Sequence, residues 1–319
     1  MYKPFLHILF CLLASALRAQ QNLVPNGSFE EITRCPLYFG DSVAEHWYSV
    51  TAASSPDLYH TCAVQVDQTQ IVPEVPENYN GWQWPRTGDA YMGIGHNVNL
   101  GTEGGEYIQC DLTEHLLAGS RYIVEFFVSR ADYSDRAPNI LGAFLSQDTV
   151  FSSVFGLLPF LPQATNIQNQ PLIDAVNWIR IVDTITAQGG EQHLTIGVFS
   201  NNTGWTLTDG LYSETAVVFI DDVSVVKDSQ YVEIPNVFTP NGDGINDLLQ
   251  INTSGFSDGE LNLYDRWGRR VFSVSGTAFS WNGQSTTGNC HDGVYYVIVS
   301  MIQSNGKRIT KKDFVHLLR

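Results

Sequence analysis

Apolar side chains recur at every second position along most of this chain. In residues 122–129, Tyr122, Val124, Phe126 and Val128 fall on one face, the period of a strand buried on one side. Residues 140–146, 178–186, 193–200 and 216–226 are rich in β-branched and aromatic side chains and are bounded by Gly, Asn or Asp, so they predict further strands. Downstream, residues 260–264 and 270–274 flank Arg266-Trp267-Gly268. Residues 295–303 and 307–315 flank Ser304-Asn305-Gly306, where Asn-Gly suits a type I′ hairpin turn. Helical periodicity is scarce. Residues 171–177 could form one short helical turn, and no amphipathic helix is long enough to cover a parallel sheet. The expected fold class is all-β: an antiparallel sandwich over residues 20–228, then a second over residues 229–319, with residues 227–233 read as a polar linker. About seven short strands in about 90 residues make the second sandwich immunoglobulin-like.

The N-terminus departs from this pattern. Lys3 precedes an apolar run, Phe5 to Leu13, followed by small residues up to Ala19. That is the layout of a signal peptide over residues 1–19, cleaved after Ala19 or Ala16 and too short to span a bilayer stably. Cys11 lies inside the run without lipobox residues before it, which argues against a lipoprotein. No later stretch is long enough to cross a membrane, so no membrane span is expected.

Charge separates the two halves. Residues 20–230 hold 7 Lys/Arg against 25 Asp/Glu, a balance of -18, whereas residues 231–319 hold 8 of each. An acidic body excludes nucleic acid, whose phosphates need clustered Lys and Arg, and equally an anionic membrane surface. It fits a secreted domain kept apart by self-repulsion.

The C-terminal residues carry a resemblance. Ile234-Pro-Asn-Val-Phe-Thr-Pro-Asn-Gly-Asp-Gly-Ile-Asn-Asp247 is followed by Leu263-Tyr-Asp-Arg-Trp-Gly268, Trp281-Asn-Gly283, Gly293-Val-Tyr-Tyr296 and Lys312-Asp-Phe-Val-His-Leu-Leu-Arg319. At this spacing the stretch resembles the gliding-motility-associated C-terminal domain of Bacteroidetes, the type B sorting signal of the type IX secretion system. The resemblance implies secretion or cell-surface display, with the type IX secretion machinery and its outer-membrane partner for type B domains as partners. It leaves the cargo's role open.

The body has a resemblance of its own. Asn22-Leu-Val-Pro-Asn-Gly-Ser-Phe-Glu-Glu31 and Phe219-Ile-Asp-Asp-Val-Ser-Val225 look like the first and last strands of galactose-binding-like jelly rolls, a fold shared by many carbohydrate-binding modules. Gly88-Asp-Ala-Tyr-Met-Gly93 and Glu106-Tyr-Ile-Gln109 fit the same pattern. Its length implies insertions near residues 54–86 and 150–175. Such jelly rolls often hold a structural Ca2+ between first and last strands, which points to Glu30 and to Asp221 or Asp222. The alternative is that both aspartates end a strand and are solvated or hydrogen-bonded. A second calcium candidate comes from spacing: Asn241, Asp243 and Asp247 place oxygens at alternate positions, as an EF-hand loop begins. The alternative there is a tight turn using Gly242 and Gly244.

Export to oxidising surroundings favours pairing of cysteines, and Cys35 and Cys62 lie in one irregular segment, so a Cys35–Cys62 disulfide is expected. Cys110 and Cys290 read as free, partly buried thiols, and none of the four has the CxxC spacing of a zinc site. Gly40-Asp41-Ser42 and Asp313-Phe-Val-His316 mimic parts of a serine hydrolase but fall in separate domains without an α/β pattern. Candidate sugar platforms are Tyr79, Trp82 and Trp84, in Asn78-Tyr-Asn-Gly-Trp-Gln-Trp-Pro85, then Tyr107, Trp178 and Trp205, the last in Asn201-Asn-Thr-Gly-Trp205; the alternative for each is packing in the sandwich core, the commoner place for an aromatic. The resulting expectation is a non-enzymatic, exported binding protein whose N-terminal domain takes a glycan or another surface component. The rivals are a secreted glycan hydrolase with carboxylates concealed in the acidic body, and a structural surface adhesin without a small ligand.

Overall fold

In the computed structural model of the chain the described residues are 21–41, 43–51, 54–64, 71–98, 104–154, 156–168, 170–199, 204–211, 214–303 and 306–319. The signal segment, Ser42, Asn201, Asn202, Ser304 and Asn305 lie outside them. The described residues form strands, turns and bends without a helix, and the chain divides into two compact units between Lys227 and Asp228. No helix among them is long and apolar enough to cross a membrane.

The first unit is a β-sandwich. One sheet runs Trp47–Ser49, Ile108–Asp111, His193–Gly197, Gly142–Ser146, Ala164–Thr165. The other runs Ile179–Thr186, Arg121–Arg130, Thr215–Lys227, Ala90–Asn97, Asp57–His60, with Gly104–Gly105 paired to the end of Ala90–Asn97. The pairings of the named strands are antiparallel. Tyr122, Val124, Phe126 and Val128 do share a face, and all four enter the main core with Met92, Ile94, Val218 and Ile220. The intervening Tyr91, Val217 and Phe219 point the other way, into a second cluster with Tyr59, Ala131 and Trp178. The middle of this sheet is therefore covered on both faces, which accounts for the unbroken apolar run Ala216–Ile220.

Three local expectations are corrected. Residues 22–31 do not form a strand. Asn26 and Phe29 take positive φ (47° and 63°) and Phe29 N–H closes a turn onto Asn26 O, so the segment coils. Its start still meets the last strand, through an Asn22–Val226 bridge and Leu23 N–H donating to Val225 O. Residues 171–177 bend without making a helical turn: Asp174 Oδ1 takes the N–H groups of Val176 and Asn177 as an N-cap would, but the chain enters the Ile179–Thr186 strand before a helix can follow. Part of the supposed linker is sheet: Lys227 ends a strand of the first unit and Tyr231–Glu233 pairs with Leu249–Ser254 in the second.

The second unit is also a sandwich. Its larger sheet runs Val237–Phe238, Arg308–Leu317, Gly293–Gln303, Phe256–Tyr264, Arg270–Ser275, antiparallel except for the first pairing. The smaller runs Tyr231–Glu233, Leu249–Ser254, Phe279–Trp281. Trp281 fills the space between them, with its ring centre 5.1 Å from Tyr295 and 5.4 Å from Phe238.

Candidate functional site

The outer face of the first unit's six-stranded sheet carries stacked Tyr59 and Tyr91, 4.9 Å apart, with Phe219 against both. A segment around residues 75–84 lies over them. Asn78 Nδ2 donates to the Tyr91 hydroxyl, Asn80 Nδ2 to the Tyr59 hydroxyl at 2.7 Å, and Gln83 Nε2 to Ser129 Oγ at 2.7 Å. These three amides are buried and satisfied, so they anchor the segment. Tyr79 and Trp82 (53% exposed) between them, and Trp84 (51% exposed) just after, face outward. The two indoles meet edge to face with centres 6.2 Å apart, and Trp178 Nε1 donates to Trp84 O. Two tryptophans fixed on a hydrogen-bonded scaffold form an aromatic ledge.

Beside the ledge lies an open depression of about 720 Å3. Arg130, Asp132, Asp174, Asp209, Val176 and Leu211 line it, among others. Ledge and depression share a wall: Asp132 Oδ2 accepts the Trp82 N–H at 2.6 Å and Tyr133 N–H donates to Asn80 O. Arg130, with 7% of its side chain exposed, ends the Arg121–Arg130 strand. Its Nε donates to Ile173 O and its Nη1 to the carbonyls of Ala131, Asp132 and Ser134. Its Nη2 meets Asp209 at 3.5 Å, a carboxylate whose side chain is 97% exposed. Val176 and Leu211 add exposed apolar surface. The depression thus offers a fixed guanidinium, acceptor carboxylates and apolar patches next to two indoles, which suits a ligand with both apolar faces and hydroxyl groups.

Trp205 does not join this ledge. It starts a short strand, Trp205–Leu207, paired with Arg136–Pro138, and it packs half-buried against the main core with its ring 5.7 Å from His96. The pairing turns the indole inward, and its Nε1 is buried without a hydrogen-bond partner. The expectation of an exposed platform at Trp205 is corrected accordingly.

The calcium candidates are all engaged by protein donors. Glu30 Oε1 accepts the N–H groups of Asp89 and Ala90. Asp221 is buried and accepts Arg86 N–H, while Asp222 pairs with the Arg86 guanidinium and the Thr87 hydroxyl. Burial, then the adjacent Asp222, push the Asp221 carboxyl up to about 8. In the second unit, Asp247 accepts the N–H groups of Gly242 and Gly244, Asp243 accepts that of Ile245, and Asn241 Oδ1 accepts that of Asp243. The two backbone bonds hold Asp247 below the usual carboxylate range. Among the described residues, Glu31, Glu45 and His46 bring ligand atoms within 4.8 Å of one another, all three exposed.

Cys35 and Cys62 form a disulfide, tying the irregular segment after residue 31 to the end of the Asp57–His60 strand. Cys110 and Cys290 are free and buried. Asp41 forms an ion pair with Arg34, while Asp313 and His316 lie on a strand of the second unit, so the hydrolase-like halves belong to different units.

Two further acids, Asp57 and Glu106, have surroundings that nothing in the sequence marks. Burial, then the neighbouring Glu106, push Asp57 up to about 8, and burial raises Glu106. Asp57 accepts Gly40 N–H, and Glu106 accepts those of Ser55 and Gly95. Arg130 escaped the sequence reading, though one signal was present: it is among only 7 cations in the acidic body and directly follows an apolar strand pattern.

Residues 232–317 match the family model of the CHU_C type IX secretion signal domain. This stretch is a type IX secretion signal domain. The signal domain marks the chain for secretion and the cell surface, and it implies interaction with the type IX machinery. No curated protein matches the chain. Among solved structures, the adhesin domain of Epf from Streptococcus pyogenes is 9% identical, covers 94% of this chain and 97% of its own, and superposes with a TM-score of 0.31. The K1 cleaved adhesin domain of Lys-gingipain from Porphyromonas gingivalis W83 is 13% identical, covers 60% of this chain and 95% of its own, with a TM-score of 0.29. A β-1,2-glucanase from Parabacteroides distasonis is 9% identical and covers 94% of this chain but 40% of its own, with a TM-score of 0.30. Superpositions this loose carry no argument about what the body binds or does.

Proposed function

We propose that the body of this type IX-exported chain is a surface-displayed binding module that takes a neutral glycan across the Trp82–Trp84 ledge and the adjoining depression. The observation that carries this reading is the pair of half-exposed indoles, 6.2 Å apart, held by buried amides. A sugar's apolar face stacks on an indole, while its hydroxyls meet Asp132, Asp209 and Arg130 Nη2. The net charge of -18 over residues 20–230 repels anionic glycans and leaves neutral ones favoured.

Binding is favoured over hydrolysis because the acids with raised proton affinity, Asp57, Glu106 and Asp221, already accept backbone N–H groups and lie outside the lining of the depression. We further propose that Arg86 supplies, beside Asp222, the positive charge that the jelly-roll resemblance assigned to Ca2+. The test is a broad glycan array probed with the full chain, followed by calorimetry on any hit with Trp82→Ala and Trp84→Ala. Binding lost in both variants at unchanged melting temperature supports the ledge. Absence of any hit favours the structural adhesin without a small ligand.

A further inference from the structure

The motif Asp265-Arg266-Trp267-Gly268 of the signal domain folds into a turn that leaves its largest side chain outside. Trp267 is 75% exposed, whereas Trp281, the other tryptophan of the domain, is buried in the core. The turn itself is rigid. Asp265 is buried, its Oδ1 accepts the N–H groups of Trp267 and Arg269, its Oδ2 accepts Arg269 Nε, and its carbonyl takes Gly268 N–H. Gly268 completes the reversal at φ 78°, where a side chain would be strained. The Arg266 guanidinium lies 4.4 Å from the centre of the Trp267 ring, a cation–π contact that favours one orientation of the exposed indole.

Charge and shape give this corner a direction. The domain's 8 cations and 8 anions balance, yet Arg266, Arg269 and Arg270 cluster at the turn, and all three are exposed. The acids nearby are occupied: Asp265 by the turn, and Asp292 by Arg319. A recess of about 430 Å3 opens beside Trp267, walled by Arg269, Asn289, His291 and Tyr295. An exposed, pre-oriented Trp flanked by Arg has the composition of an interface hot spot.

We propose that this turn and its recess are the docking point of the signal domain for an acidic protein loop of the export machinery. Trp267 seats against the partner, Arg266 and Arg270 pair with its carboxylates, and Asp265 positions the turn. The proposal rests on the signal domain and is independent of glycan binding by the body.

The test is export of the full chain in a host with a working type IX system, comparing surface and medium with periplasm, alongside melting of the purified variants. Truncating a hot-spot Trp weakens docking by about tenfold or more. Trp267→Ala is therefore expected to collect in the periplasm, with melting unchanged because the side chain is exposed. Trp267→Phe should restore part of the export. If Trp267→Ala also melts early, Arg266→Glu carries the test, since its side chain is exposed and lies over the indole, and it should likewise collect in the periplasm. Export of Arg266→Glu and Trp267→Ala at the unmodified level overturns the proposal. So does normal export together with loss of concentration-dependent self-association, which would assign the turn to a second, acidic copy of the chain.

Discussion

Asp132 ties Trp82 to the edge of the Arg130 depression, its Oδ2 accepting the Trp82 backbone N–H at 2.6 Å. The approach is possible because residue 81 is glycine. A Cβ there would stand 2.4 Å from the Asp132 carboxylate, and Gly81 has φ 143°. Asp132→Ala should therefore free the ledge and weaken glycan binding nearly as much as Trp82→Ala, about tenfold or more by hot-spot precedent. Both variants should melt close to the unmodified chain. Trp205→Ala should behave in the opposite way. Its indole packs on the core, so its loss is expected to cost about 3 kcal/mol and leave affinity unchanged in the folded fraction. Calorimetry beside denaturant unfolding separates the two patterns. A strong loss of affinity in Trp205→Ala would move the site away from the ledge.

The raised carboxyls give stability a definite pH slope. Asp57 and Asp221 each titrate near 8 in the folded chain, above the ordinary carboxylate value they take when unfolded. The folded state therefore binds protons that the unfolded state has released. The stabilisation is fully present below about pH 4 for these groups and is lost as pH rises through about 8. Between pH 5 and pH 8.5 the melting temperature should fall. Asp57→Asn and Asp221→Asn, which keep an oxygen for the Gly40 and Arg86 N–H groups, should flatten that fall. Scanning calorimetry at both pH values checks this, and a slope that persists in the double variant would assign it to other groups.

The long strands were legible because a period of two survives in sequence. Arg121–Arg130 and Thr215–Lys227 sit where apolar positions alternate or run unbroken. Residues 22–31 were misread because Asn26 and Phe29 both take positive φ, and Phe29 carries no local sign of it. The inward turn of Trp205 has no local sign, because its partner strand, Arg136–Pro138, lies 67 residues or more upstream, so sequence leaves platform and core both open there. The ledge was legible in the crowding of Tyr79, Trp82 and Trp84 between amide side chains. The depression was not. It arises where the end of the Arg121–Arg130 strand meets residues 173–176 and Asp209, and an Arg ending a strand reads in sequence as a solvated charge.

Reducing the Cys35–Cys62 bridge should destabilise the body without touching the ledge. The bridge spans 27 residues, for which loop-closure entropy gives about 3.5 kcal/mol. Cys35→Ser/Cys62→Ser should unfold at correspondingly lower denaturant. Any glycan affinity of the folded fraction should persist, because the Tyr59 and Tyr91 contacts that carry residues 78–83 do not involve the bridge. A double variant with unchanged unfolding midpoint would show that the segment is held by other contacts, such as the Arg34–Asp41 pair.

The last prediction concerns calcium and turns on Arg86. Its guanidinium lies over the Phe127 ring, 3.4 Å from the centre, and pairs with Asp222, while its backbone N–H reaches Asp221. A hard cation wants six to eight oxygens, and Glu30 Oε1 and the oxygens of Asp221 and Asp222 already accept protein N–H and O–H groups. Millimolar calcium should therefore leave the melting of the unmodified chain where chelator leaves it. Arg86→Ala removes the counter-charge from the Asp222 carboxylate, beside the buried Asp221, and should lower the melting temperature. In that variant calcium should recover part of the loss, because a ligand that binds only the folded state stabilises it by mass action. Melting of both proteins in calcium and in chelator decides the point. If calcium already stabilises the unmodified chain and Asp222→Asn abolishes the effect, the cation belongs beside Asp222 and Arg86 only supports it.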